Sequence, residues 1–381
     1  MPGVRGRTAR ELGETLDVHV KLADWRYPRP RMIRSAGLSL SDPASGAMIA
    51  EIAHLETKQG GAVRTLTVKQ LTVDASQLLT LAEKVDRWVA KLPPQTQAVD
   101  IDRLVIKAPA GDREVVFSPV RGRVDRDAAG RVRVQIIAQV AGQNAAESAI
   151  RLTLEPSAVS GSASATVTLD ARGAALPAGL LAAAVPGLST FGAAAQFKGA
   201  VQWTLDRPEP RCIIQGRVEH VDLASILPAG SPHSLRGAAT VDLQELSWRG
   251  SRIERLAGTV HAEKGAISRS LVNTLAQNYK CGGADGVAAV DDPTMVALEL
   301  LGVRFELDDN GLSFWGNFPA EAHLPTGCLA VSGSQPLLIQ SPYDKWHVGV
   351  LVQTLAAPGV TWMPATSEAV DIAERLPLDR K

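Results

Sequence analysis

The sequence has few aromatic residues, and its positive and negative charges cancel. Phe, Trp and Tyr make up 4% of its 381 residues, and 40 Lys and Arg balance 40 Asp and Glu. Nucleic-acid binding needs a basic surface, and the stacking of bases needs aromatic rings. The composition therefore argues against general nucleic-acid binding, and no nucleic-acid partner is expected.

Cysteine is also scarce. The chain has only Cys212, Cys281 and Cys328, with no CxxC motif and no Cys/His cluster at metal-ligand spacing. We therefore expect no metal site and no cofactor. Small buried thiols explain the three residues most simply, while a Cys281–Cys328 disulfide in an oxidising compartment stays open.

No apolar run is long enough to cross a membrane. A spanning helix needs about 18 uninterrupted apolar residues, and the nearest stretch, residues 176–195, contains Pro177, Pro186 and several glycines. Residues 1–14 lack the apolar core of a signal peptide. The sequence as printed therefore predicts neither a transmembrane helix nor an export signal.

Motifs that carry chemistry are missing as well. There is no Walker loop, GxGxxG, HExxH or GxSxG. The histidines are scattered and no two have metal-ligand spacing: His19, His54, His220, His233, His261, His323 and His347. We expect no catalytic residues and a protein that is not an enzyme, with unrecognised β-fold chemistry as the weakest alternative.

Two further sets of residues are candidates for a functional site. The aspartates that follow or interrupt apolar strand segments are interpreted as turn formers rather than as a carboxylate site: Asp170, Asp206, Asp222 and Asp242. The tryptophans are interpreted as β-core residues, with a ligand groove as the alternative: Trp203, Trp248, Trp315, Trp346 and Trp362.

What the sequence does contain is period-two alternation of apolar and polar residues. In residues 211–268 it indicates three half-buried antiparallel strands, and Gly-, Asp- and Pro-rich turns recur along the chain as in a meander. Gly216, Gly237 and Gly258 are 21 residues apart, which suggests stacked, similar units. The predicted fold is mainly β: an elongated, curled antiparallel sheet, or β-groove, with a few short amphipathic helices.

Local signals add detail to this prediction. Helices are expected at 76–92 with Ser76 as N-cap, at 176–188, at 269–280 and at 367–376. A hairpin is expected at Asn310-Gly311, and a last strand through Trp346, Val348, Val350 and Val352. The predicted segments are 1–95 (strands plus helix), 96–267 (repeated β-groove) and 268–381 (helix and further strands).

About a dozen apolar strand faces need cover that two modest helices cannot supply. The sheet either closes on itself, or curls into a trough whose floor is covered by lipid acyl chains, each buried CH₂ contributing about 0.8 kcal/mol. In the second case we predict these groove-lining residues: Val134, Ile136, Leu152, Val167, Val201, Trp203, Ile214, Val218, Val241, Leu243, Leu256 and Val260.

Two regions resemble AsmA-like bacterial envelope proteins. Residues 15–20, Arg29-Pro30, 37–46 and 49–52 are similar to their N-terminal region, and residues 243–267, with LSWRGSRIERLAGTV followed by GAI, to their C-terminal repeat. The resemblance implies a periplasmic β-groove associated with the inner membrane that takes part in phospholipid transfer and outer-membrane biogenesis, without catalytic residues. Members usually begin with a membrane-spanning helix, so membrane association is expected through a helix that this sequence does not contain.

The sequence thus supports a leading hypothesis and an alternative. The first is a non-enzymatic envelope protein that binds or conducts phospholipid acyl chains along an apolar β-groove, with envelope proteins as further partners. The second is an envelope assembly or scaffold protein with a closed, dry β-core and no lipid ligand.

Overall fold

The computed structural model describes residues 2–29, 32–60, 63–90, 96–108, 114–126, 131–144, 148–156, 165–182, 185, 188–205, 210–228, 230–250, 252–283, 292–319, 322–340 and 344–355. Within these residues, 18 strands belong to one sheet, and the helices are few and short. The prediction of a mainly β protein with a curled sheet and a few short helices is confirmed.

The chain divides into two compact units. Unit 1 is Met1–Leu188 with Ala200–Pro210, and unit 2 is Ser189–Gly199 with Arg211–Lys381. The predicted segment boundaries at 95/96 and 267/268 fall inside these units, and the three-segment division stays a prediction.

Unit 1 consists mainly of consecutive strands that pair with their neighbours in the sequence. Its elements are α1 (Pro2–Leu16), β1 (His19–Arg29), β2 (Met32–Ser41), β3 (Met48–Gly60), β4 (Val63–Asp74), α2 (Leu78–Ala90), β5 (Thr96–Lys107), β6 (Glu114–Arg126), β7 (Val132–Val140), β8 (Ala149–Pro156), β9 (Ala165–Asp170), β10 (Leu176–Pro177) and α3 (Ala178–Leu181). Strands β1 to β9 pair in this order, and β9 also pairs with residues 200–204 of β11 (Gln196–Thr204).

The connection from β4 to β5 departs from the predicted meander, because these two strands are parallel. A parallel connection needs a crossover, and α2 supplies it. The predicted helix at 76–92 is therefore confirmed, but its predicted cap is wrong. Asp74 accepts a hydrogen bond from the Ser76 backbone N–H at 2.8 Å and caps a 3₁₀ turn, Ala75–Gln77, that precedes α2.

Six neighbouring strands change phase at the same level of the sheet. Each has two consecutive residues, instead of one, between successive residues of its more buried face: Ala23-Asp24, Ala36-Gly37, Ala53-His54, Lys69-Gln70, Asp102-Arg103 and Ser118-Pro119. Because the neighbouring strands slip together, β3 to β6 stay in register and one face remains apolar along their length.

Unit 2 contains the two longest of the described strands, of 15 and 17 residues. Its elements are β12 (Arg211–Asp222), α4 (Leu223–Ile226), β13 (Leu235–Arg249), β14 (Arg252–Ser268), α5 (Arg269–Tyr279), β15 (Met295–Asp308), β16 (Gly311–Gly316), β17 (Cys328–Ser332), β18 (Gln335–Ile339) and α6 (Val348–Leu355). Strands β12 to β16 pair antiparallel in order, β17 also pairs with β15, and β18 pairs with β17.

Two of the elements predicted in unit 2, a helix and a hairpin, are confirmed. The helix at 269–280 is confirmed as α5, which Ser268 caps by accepting from the Leu271 N–H at 3.3 Å. The Asn310-Gly311 hairpin is confirmed by the pairing of Asp308 with Gly311.

The prediction of a last strand through Trp346, Val348, Val350 and Val352 is wrong, since Val348–Leu355 is the helix α6. Val348, Val352 and Leu355 also fit helical spacing, and the His347 ring nitrogen Nδ1 accepts from the Gly349 N–H at 3.1 Å at the start of the helix.

Two other predicted helices lie partly or wholly outside the described residues. In 176–188 the described helix is α3, Ala178–Leu181. Residues 367–376 lie outside the part of the chain that the structure describes.

The glycine period does not mark a row of equivalent positions. Gly216 and Gly258 pair with Leu243 from the two sides of β13, whereas Gly237 pairs with Gly265 farther along the strand. Gly216 has a φ of +149°, and a Cβ there would lie 2.6 Å from the Cα of Gly199. The close approach of two backbones, rather than a repeat, requires glycine at position 216.

Candidate functional site

The six predicted lining residues of unit 1 share one face of its sheet. They form two adjacent rows across β7, β8, β9 and β11: Ile136–Leu152–Leu169–Val201 and Val134–Leu154–Val167–Trp203. Directly paired residues project from the same face. The structure thus brings together six residues that the sequence predicts as one surface, and adds Leu169 and Leu154 between them.

The first of these rows continues toward β4 as a line of half-buried apolar side chains. Leu66 pairs with Val99, Val99 with Gly122, and Gly122 with Ile136, which pairs with Leu152. Leu66, Val99, Ile136 and Leu152 are all half-buried. We call these four residues, with Gly122 between them, the apolar strip.

Gly122 keeps the apolar strip continuous where it crosses β6. A Cβ at this position would lie 3.2 Å from the Val99 Cβ and 3.7 Å from the Ile136 Cγ1. The strip crosses five strands from β4 to β8, and four strand spacings of about 4.8 Å give a length of about 19 Å. A narrow, partly wet apolar line of this length matches an extended acyl chain better than a globular ligand.

The neighbouring row on the same face is dry. Val68, Ile101, Val120 and Ala138 pair in sequence beside the strip and are between 1% and 9% exposed. On the other side of the strip Val124 and Val134 pair with each other and are 6% and 7% exposed, so the strip is a half-buried line between two dry rows of the apolar face.

Helices α1 and α2 cover a different part of unit 1. Their Leu16, Leu78 and Leu81 pack against a cluster that includes Ile49 and Val73, on the far side of the phase slip from the strip. Lys84 of α2 fastens this cover, because its Nζ donates to the Asp17 carbonyl at 2.7 Å and to Asp17 Oδ2 at 2.8 Å. The described residues of these helices thus cover the cluster around Val73.

The six predicted residues of unit 2 also share a face. They lie in three adjacent rows across β12 to β15: Ile214–Leu246–Leu256–Leu307, Gly216–Leu243–Gly258–Phe305 and Val218–Val241–Val260–Val303. Val218 and Ile214 are 0% exposed.

A layer of other elements covers part of this unit 2 face. Leu271 and Tyr279 of α5 and Leu337 of β18 belong to one buried cluster, against which Val303 packs. Val348 of α6 packs in a second cluster with Leu307 and Leu256. We call α5 and α6 the covering layer.

Eight of the twelve predicted lining residues are buried in the protein itself, and four are half-buried: Ile136, Leu152, Leu256 and Val260. A buried residue can touch a ligand only if protein side chains move away. Of the half-buried residues, Leu256 packs with Val348 of α6 in unit 2, whereas Ile136 and Leu152 belong to the apolar strip.

The opposite face of unit 2 carries ion pairs. Arg217 donates to Asp242 at 2.6 Å, and this hydrogen bond raises the pKa of Arg217. Glu254 accepts from Arg249 and from Arg211, both at 2.9 Å, and mainly the Arg249 bond lowers the pKa of Glu254. At neutral pH Arg217 therefore stays positively charged and Glu254 stays negatively charged. The face that carries these charged pairs is solvated.

The aspartates and tryptophans are dispersed. Asp170 and Asp222 accept from the Arg172 and Ala224 N–H groups, as turn formers do, but Asp242 is a mid-strand partner of Arg217, so the turn interpretation is wrong for it. Trp203 and Trp248 are buried, Trp315 and Trp346 are half-buried. Asp206 and Trp362 lie outside the described residues.

All three cysteines are buried free thiols. Burial raises the pKa of Cys281 to about 11 and raises the pKa values of Cys212 and Cys328, so none is a reactive thiolate. Gly282 and Cys328 pair with Ile339 from opposite sides. Two strand spacings, about 9.6 Å, therefore separate these segments, farther than a disulfide spans.

One buried polar network around His233 is not predicted from the sequence. His233 is 6% exposed, and its Nε2 lies 2.8 Å from the Thr354 carbonyl and its Nδ1 3.0 Å from Ser270 Oγ. A carbonyl only accepts, so Nε2 carries a proton and donates it to the Thr354 carbonyl, while Nδ1 is hydrogen-bonded to the Ser270 hydroxyl. The network joins the start of β13, the start of α5 and the end of α6, and nothing in the spacing of these residues along the chain signals it.

Other candidate sites offer less. An open pocket of about 460 Å³ beside α1 is lined by Arg10, Glu14, Asp17 and His19 among others, but Asp17 is already engaged by Lys84. Within the described part of the chain, no group of three or more His, Cys, Asp or Glu side chains could hold a metal ion.

Helices long and apolar enough to cross a membrane are not found among the described residues. The comparisons with known proteins add no identity: no protein-family model matches the sequence, and no curated protein matches it.

Proposed function

We propose that this protein is a non-enzymatic lipid-binding protein of the cell envelope, and that phospholipid acyl chains lie along the apolar strip of unit 1. The observation that carries the proposal is the half-buried row Leu66–Val99–Ile136–Leu152, which extends a continuous apolar face without being packed away. Each methylene that this row takes out of water contributes about 0.8 kcal/mol. The envelope location rests on the AsmA-like resemblance.

Native mass spectrometry with lipid extraction, on protein purified from a bacterial host, tests the proposal. We expect stoichiometric phospholipid that survives washing. Two adjacent residues provide matched variants, because Ile136 lies in the strip and Ile137, 42% exposed, projects from the opposite face.

Ile136→Glu places a charge against the acyl chain and should reduce lipid retention about tenfold, whereas Ile137→Glu should retain lipid as the parent does. A protein that carries no lipid, or two variants that behave alike, would contradict the proposal.

The second candidate is an assembly or scaffold protein with a dry core, and the covering layer of unit 2 favours it. In that case the purified protein should be lipid-free, monodisperse and stable. The Ile136→Glu variant should then differ from the parent only in stability.

A further inference from the structure

Arg64 stands on the same face of β4 as the apolar strip. Residues two apart in a strand share a face, so Arg64 lies on the side of Leu66 and Val68, and Val68 is 3% exposed within the packed part of that face. An arginine on an apolar face is unusual, because its charge needs a partner or water.

The row that contains Arg64 is polar at one end and apolar at the other. It begins with Gln59, Arg64 and Gln97, which pair across β3, β4 and β5, and it continues through Val124 and Val134. Gln97 is 6% exposed. The polar groups therefore cluster beside Leu66, where the strip begins.

Arg64 is exposed and has no acidic partner among the residues that the structure describes. Arg34 on the opposite face, by contrast, donates to Glu56 at 2.8 Å. The cross-strand neighbours of Arg64 are two glutamines rather than carboxylates, so neither neighbour compensates its charge.

We infer that Arg64 binds the phosphate of a phospholipid whose acyl chain lies on the apolar strip, so that the headgroup is at β4 and the chain runs toward β8. This inference rests on the proposed function and adds an orientation to it. A guanidinium forms charge-assisted, often bidentate hydrogen bonds with phosphate oxygens, which makes Arg suited to this role. The apolar strip makes a phospholipid, rather than a free phosphate, the fitting occupant.

The test compares two lipids with identical acyl chains. Delipidated full-length protein is incubated with dioleoyl phosphatidylglycerol or with dioleoylglycerol, which lacks the phosphate, and bound lipid is measured by native mass spectrometry. The variants are Arg64→Gln and Lys58→Gln. Lys58 pairs with Thr65 and therefore projects from the opposite face of the neighbouring strand, so its variant removes the same charge without touching the site.

We expect the parent to bind the phosphatidylglycerol about tenfold more tightly than the diacylglycerol, as one charge-assisted contact allows. Arg64→Gln should lower phosphatidylglycerol binding to the diacylglycerol level and leave diacylglycerol binding unchanged, and Lys58→Gln should resemble the parent. Equal binding of both lipids by the parent, or an Arg64→Gln variant that keeps the preference, would overturn the orientation but not acyl-chain binding. Binding of neither lipid would overturn the proposed function itself.

Discussion

The two units present apolar sheet faces of similar pattern with different cover. In unit 1 the strip Leu66–Val99–Ile136–Leu152 stays half-buried within a packed face, while α1 and α2 cover the cluster around Val73. In unit 2 Val218, Val241 and Leu243 are buried, and α5 and α6 belong to clusters with neighbouring residues of the sheet. Alternating sequence makes an apolar face, but other segments of the chain decide whether it is dry.

The comparison has a functional consequence. A covered apolar face stabilises the fold and is closed to ligands. A partly wet apolar face remains in contact with water, and an apolar ligand that displaces this water binds favourably. Stability variants should therefore affect unit 2 most and lipid variants unit 1.

The largest difference is expected from a charge placed in each face. Val218→Asp buries a carboxylate where the parent side chain is 0% exposed and should lower the free energy of unfolding by at least about 4 kcal/mol. Ile136→Asp, at a half-buried position, should cost about half as much. Urea unfolding followed by circular dichroism measures both, and equal losses would mean that the two faces are equally dry.

Truncation of a packed leucine should give a smaller difference in the same direction. Leu271→Ala removes a 5% exposed side chain of α5 and should cost about 3 kcal/mol. Leu152→Ala should cost about 1 kcal/mol, since its side chain is already partly in water. A Leu152→Ala variant as unstable as Leu271→Ala would show that the strip is packed after all.

The His233 network sharpens the account of the covering layer. His233→Ala removes the bonds to Ser270 and to the carbonyl of Thr354, a residue that is 1% exposed, and the loss of the buried bond should cost about 2 kcal/mol. Hydrogen exchange should show loss of protection in α6. His261→Ala, which removes one contact to Asn317 at 3.2 Å, is the control and should leave α6 protected.

The smallest expected effect is on the stability of the protein at acidic pH. Arg249, and then Arg211, lower the folded-state pKa of Glu254. The stabilisation is therefore present above the unfolded pKa and is lost as the pH falls through the lower folded value. Because these pairs are solvent-exposed, the effect should be below about 1 kcal/mol. Glu254→Gln should flatten the stability of the protein between pH 5 and pH 3 (roughly the range set by carboxyl pKa values), and an unchanged pH profile would rule out a contribution from this group.

Much of the fold follows from hydrophobic periodicity, and much of the site does not. The alternation around Val134, Val167 and Val218 predicts strands and assigns these residues to a face correctly, because side chains alternate between faces along a strand that is not interrupted by a bulge. Register is different. The alignment of Ile136 with Leu152 and Val99 depends on pairing between separate strands, and the sequence contains no local signal for it.

It is still harder to predict which segments of the chain pack over an apolar sheet face. The residues Val348, Val350 and Val352 fit a strand as well as a helix, and the strand interpretation hid the element that packs over Leu256. The role of His233 depends on Ser270 and Thr354, which are distant in sequence. The sequence alone does not distinguish Arg64, because an exposed arginine in a strand is ordinary until its cross-strand neighbours Gln59 and Gln97 are known.

The central claim, that acyl chains bind to the strip of unit 1 and not to the covered face of unit 2, can be tested directly by photolabelling. A phospholipid with a diazirine in its acyl chain is bound to the protein, irradiated and located by peptide mass spectrometry. We predict labels on the peptides that contain Leu66, Val99, Ile136 and Leu152. Labels concentrated on residues 214–260 of unit 2, or no specific labelling, would contradict the account.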